Sequence, residues 1–91
     1  MPQSENEWIS ELLNDGYVNL LFCDAVPFEI EAEHAHDRDH KMIIFFGDIE
    51  ISIGYECFHL GTQDYFEIPR ATSHATSIGS VGCRYLIAER L

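Results

Sequence analysis

A small all-β barrel or sandwich preceded by one short helix is the fold this sequence predicts. Residues 17–89 break into about eight short β-prone segments, separated by turn signals every 6–10 residues or so, a spacing typical of sandwiches and barrels. Only the segment before them has helical periodicity. The chain is 91 residues long, enough for one domain with one core and too short for a second.

The helix is expected over about residues 4–15 and the barrel over about residues 17–90 of a single domain spanning residues 1–91. Ser4 and Glu7 have capping-box spacing. Trp8, Ile9, Leu12 and Leu13 form an apolar stripe, and Asn14, Asp15 and Gly16 supply the stop. Residues 17–23 then read as a strand. Residues 28–36 alternate, with Phe28, Ile30, Ala32, His34 and His36 on one face and Glu29, Glu31 and Glu33 on the other. The apolar phase is expected to face inward and the three glutamates outward to water.

Residues 42–46 form an apolar run, Gly47 and Asp48 read as a tight turn, and Ile49, Ile51 and Ile53 alternate with polar residues. Residues 55–60 and 65–68 are short strands around a Gly61–Asp64 turn, and Pro69 breaks the pairing. Residues 73–78 and 83–89 complete the set, split at 79–82.

Composition narrows the function. Apolar residues make up 46% of the chain, normal for a globular protein. Sixteen acidic residues against five basic ones give a formal charge of -11. Without a basic patch, nucleic acid and anionic membrane surfaces are unsuitable partners. The first residues are polar and acidic, unlike a signal peptide, so the expected location is cytoplasmic. Cys23, Cys57 and Cys83 form no C-x-x-C pair and read as small buried hydrophobes.

The chemistry lies in five histidines: His34, His36, His40, His59 and His74. Residues i and i+2 of a strand share a face, so the imidazoles of His34 and His36 can converge on one metal ion. Single histidines are more often solvated or hydrogen-bonded than ligating. An H-x-H pair on an inward face with a third histidine four residues on is less often accidental. His59 has no partner near it in sequence.

The positions around these histidines resemble the cupins, a β-barrel family with two motifs. The first, G-x5-H-x-H-x3–4-E-x6-G, reads here from Phe28 through His34, His36 and His40 to Gly47. The second, G-x5-P-x-G-x2-H-x3-N, reads from Gln63 through Pro69, Ala71 and His74 to Ile78. Phe28, Gln63 and Ala71 stand where the motifs have glycine, Ile78 where they have asparagine, and His40 where they have the glutamate ligand.

The resemblance implies a double-stranded β-helix, or jelly roll, with His34, His36 and His74 as metal ligands. His40 is expected as the fourth, with Asp37 or Asp39 as carboxylate alternatives. An imidazole-rich set favours Zn, Ni, Cu or Fe(II) over Mn or Mg. Phe28, Ile30, Ile44, Phe46 and Tyr85 are the expected pocket lining, and Tyr85 and Glu67 the candidate acid–base groups. The function that follows is a metal-dependent enzyme acting on a small organic molecule, of dioxygenase, isomerase or lyase class. The alternatives are a non-catalytic binding or sensing module, or a barrel whose histidines hold no metal. A homodimer through sheet edges is expected.

Overall fold

A computed structural model of the chain describes residues 2–91. Helix α1 (Glu5–Asn14) is followed by six strands: β1 (Val18–Ala25), β2 (Ile30–His34), β3 (Asp39–Ile53), β4 (Glu56–Leu60), β5 (Tyr65–Ile68) and β6 (His74–Arg90). The helix begins with the capping box read from sequence: the Ser4 hydroxyl accepts from the Glu7 N–H, and the Glu7 carboxylate accepts from the Ser4 N–H. It ends where Gly16 turns left-handed and the Tyr17 N–H returns to the Leu12 carbonyl at 3.0 Å, a Schellman-type closure.

Six strands stand where about eight were expected, because two of them run through their apparent breaks. β3 crosses Gly47 and Asp48 without turning back, and β6 crosses 79–82. The two lie antiparallel along most of their length, from Asp39 opposite Arg90 to Ser52 opposite Ala75. Their register slips between Ile44 and Phe46 and again between Gly47 and Ile49. Such bulges bend a strand and raise its twist, so the glycines mark corners of one ribbon. At the corner Gly47 is left-handed and lies against the Gly82 carbonyl, leaving no room for a side chain.

The other strands flank this ribbon. β1 and β2 pair with β6, while β4 and β5 pair with β3, all antiparallel. Its two faces bury different clusters. Met42, Ile44, Ile49, Ile51, Leu60, Ile68, Ile78 and Cys83 form the barrel interior, with Tyr85 and Ile87 packed against it. Trp8, Leu12, Tyr17, Ile43, Leu86 and Ala88 form a second cluster under α1. The helix therefore caps the outer face and leaves the interior to the histidines. Trp8 Nε1 also donates to Gln63 Oε1 at 3.4 Å, tying the helix to the turn before β5.

Candidate metal centre and its pocket

β2 and β6 bring the histidines together. His34 is the direct cross-strand partner of His74. Their ring centroids are 4.4 Å apart, and His36 stands 4.8 Å from His34 and 5.3 Å from His74. One ring nitrogen from each of His34, His36 and His74 lies within 4.8 Å of the other two. His74 is buried; His34 and His36 are partly so.

Hydrogen bonds fix two of the rings. His34 Nδ1–H donates to the Ala32 carbonyl at 2.7 Å, and His74 Nδ1–H donates to the Thr72 carbonyl at 2.9 Å. Each bond holds its ring, and in the neutral imidazole it leaves the lone pair on Nε2, the arrangement that metal-binding histidines use. Burial, and then the neighbouring rings of His40, His34 and His74, push the His36 pKa down. Neutral imidazole is the ligating form, so this environment favours metal over proton.

His40 lies beside the trio rather than in it. Its ring is 4.2 Å from that of His36, but its Nδ1 bonds the Arg38 carbonyl at 3.1 Å and its Nε2 faces Glu89 Oε2 at 3.5 Å. The expected fourth ligand is thus directed toward β6. Asp39 is also committed elsewhere, accepting from the Arg70 N–H at 2.9 Å, which holds its carboxyl below the usual range. His59 pairs with Asp48 at 2.8 Å, outside the trio.

A pocket of about 270 Å³ opens onto His36. Leu21, Ile87 and Ala88 supply its apolar wall, and Asn19, His40 and Glu89 its polar one. Asn19 Nδ2 and Arg38 Nη1 both donate to Glu89 Oε1.

No family model and no curated protein matches the sequence, but solved structures match the fold. A cupin-2 domain protein from Shewanella frigidimarina superposes with a TM-score of 0.69 at 19% identity, over 79% of this chain and 69% of its own. The polyketide cyclase RemF from Streptomyces resistomycificus gives 0.70 at 20% identity, over 81% of this chain and 55% of its own. Bacillus subtilis oxalate decarboxylase, a protein with Mn(II) centres, gives 0.74 at 18% identity, over 90% of this chain and 23% of its own. The chain has the cupin fold.

Against the cupin motifs, three departures share one property. Phe28, Gln63 and Ala71, which stand where the motifs have glycine, have φ of 64°, 72° and 62°. The backbone keeps the left-handed turns that glycine favours although the glycines are gone. At Ala71 the turn places its N–H on the His36 carbonyl at 2.8 Å, so it braces the histidine trio.

The expected lining needs correction. Ile30 is 75% exposed, Phe28 69% and Phe46 56%, and none lines the pocket. Ile44 is wholly buried core, and Tyr85 packs against that core with its pKa pushed up by burial and the adjacent Cys23. Bulges explain the misplacement. The β2–β6 register slips between Glu31 and His34, so these two side chains share a face despite their odd spacing, and Ile30 is left outside. The slip after Ile44 does the same to Phe46.

Glu31 is exposed, as expected, but its Oε1 also lies 3.2 Å from His34 Nε2, at the rim of the trio. Glu67 faces the helix side, 3.9 Å from Lys41 Nζ. Cys57, expected to be buried, is exposed beside Ser52, while Cys83 is buried and its thiol pKa is pushed up to about 11. Glu31 and Glu89 are the site groups that sequence alone missed. Glu89 was findable only through its pairing with His40 across β3 and β6.

Proposed function

We propose that this cupin-fold chain binds one divalent metal ion through His34, His36 and His74 and presents a small organic molecule to it from the adjoining pocket. The observation carrying the reading is the convergence of three imidazoles from two paired strands within 4.8 Å. Zn, Ni, Cu or Fe suits a histidine trio. Such an ion would act as a Lewis acid or activate water or oxygen. The chain's own groups divide the remaining work. Leu21 and Ile87 exclude water from one side of the ligand, and Asn19 and Glu89 offer it polar contacts. The reaction fitting this arrangement is of dioxygenase, isomerase or lyase class.

Metal analysis of protein purified without a His-tag tests the proposal. One equivalent of a divalent metal, lost in His36→Ala and His74→Ala, supports it. Wild-type protein that stays empty and resists loading overturns it in favour of a metal-free binding module. We also propose that the protein is a homodimer. Among the described residues β2 pairs with β6 alone, and a second copy along its open edge would remove an aggregation hazard. Light scattering at a monomer mass would refute that part.

A further inference from the structure

The polar wall of the pocket beside His36 is made of acceptors. Glu89 Oε1 takes hydrogen bonds from Asn19 Nδ2 and from Arg38 Nη1, and Arg38 does so without lining the pocket. Asn19 thus turns its amide donor onto the carboxylate, which leaves its Oδ1 as a further acceptor. Glu89 Oε2 faces His40 Nε2 at 3.5 Å, long for a charge-assisted hydrogen bond, so it keeps accepting capacity. Among the described residues no lysine or arginine lines the pocket.

A bulge builds this wall. β1 slips register on β6 between Val18 and Leu21, and Asn19 within the slip is left-handed at φ 52°, a conformation asparagine tolerates. Beyond the slip Leu21 pairs with Ile87, and Leu21 is left 59% exposed at the pocket wall. Ile87 and Glu89 are two residues apart on β6, so the apolar wall and the carboxylate share a face about 6.5 Å apart. The wider field has the same sign as the wall. The chain carries a formal charge of -11, and Arg38, Lys41, Arg70 and Arg84 are each paired with an acid. Such a field draws cations and turns carboxylates away.

We propose that the pocket takes a small aliphatic amine in its ammonium form, with the alkyl stem against Leu21 and Ile87 and the N–H groups on Glu89. The inference rests on the pocket part of the reading above and narrows its ligand class. At about 270 Å³ the pocket falls just short of the range of about 300–1,000 Å³ that drug-sized ligands occupy, so the stem is short.

NMR titration of purified, untagged protein with n-pentylamine, 1-pentanol and pentanoate tests it, before and after chelation. The probes share a stem and differ in the head group, and the amine is protonated at about pH 7, as a lysine side chain is. The order after chelation decides, since no ion then competes for the head groups. Pentylammonium should shift the Asn19, Leu21 and Ile87 signals and bind at least about tenfold more tightly than pentanoate, with pentanol between them. Glu89→Gln keeps the shape, removes the charge and should reduce that selectivity to about twofold or less. Glu50→Gln, an exposed acid on the far part of β3, should leave the selectivity unchanged. Pentanoate binding as tightly as the amine, selectivity intact in Glu89→Gln, or no amine binding at millimolar concentration would each overturn the inference. Were Glu89→Gln not to fold, the wild-type order of the three probes would still decide. Metal content of the same samples reports on the histidine trio separately: amine selectivity in protein that cannot be loaded would overturn the metal reading and leave this one standing.

Discussion

His40 and Glu89 are direct partners across the β3–β6 ladder, with Nε2 and Oε2 3.5 Å apart. This pairing decides what His40 does. Glu89 is itself held by Asn19 and Arg38, so it draws the imidazole away from the trio and into the pocket wall.

His40→Ala should therefore keep its metal. It should instead enlarge the pocket and free Glu89 Oε2. Stoichiometric metal in the purified variant, measured beside His36→Ala, is the check. Loss equal to that of His36→Ala would return His40 to the ligand set.

The pH dependence follows from His36. Its folded-state pKa lies below the value of about 6.5 that it has in the unfolded chain. Below about 6.5 the unfolded chain binds the proton first, so metal-free protein loses stability as pH falls from 7, levelling off once His36 protonates in the fold. Above 6.5 or so the contribution is fully present. Melting temperatures of apo protein between pH 7.5 and 5.5 should fall less in His36→Gln than in wild type. Parallel curves would show that His36 is not the source.

The left-handed residues give opposing predictions. Ala71→Gly relieves a backbone strain of about 1–2 kcal/mol and adds about 0.4–1 kcal/mol of unfolded-state entropy, so it should stabilise slightly. Gln63→Gly relieves the same strain but loses the acceptor for the Gln3 N–H at 3.0 Å and for Trp8 Nε1. It should be destabilising. Urea midpoints of the two variants should therefore move in opposite directions; a shared rise would mean that strain relief outweighs the Gln63 hydrogen bonds, and a shared fall that φ does not govern their stability.

Leu12 is wholly buried between α1 and the sheet. Leu12→Ala should cost about 2–5 kcal/mol, against a few tenths for the half-exposed Leu13. Denaturation of the two variants measures the difference. Equal small losses would show that the helix contributes little.

The helix was legible because its signals are local: the cap, the stripe and Gly16 lie within four residues of what they control. The fold class was legible from turn spacing, and His34, His36 and His74 from their positions in two motifs. Strand phase was not legible. One bulge after Glu31 left Ile30 outside, and another after Ile44 turned Phe46 outward. A bulge depends on which residue the partner strand offers, and that partner lies more than 40 positions away in sequence. Glu89 was hidden for the same reason, since nothing near it in the chain names His40 as its neighbour.

β6 touches β1, β2 and β3, and its pairing with β1 sets Val18 opposite Glu89. Contacts so distant along the chain make the search for the native arrangement slow, in the millisecond-to-second range typical of such topologies. The consequence falls on the histidines. His34 and His36 are neighbours at once, but His74 joins them only when β6 docks on β2. A two-histidine precursor has weak hold on an ion, so full affinity should appear in refolding with the same time constant as β6 docking. If the trio holds metal as proposed, its capture would then serve as a clock for barrel closure.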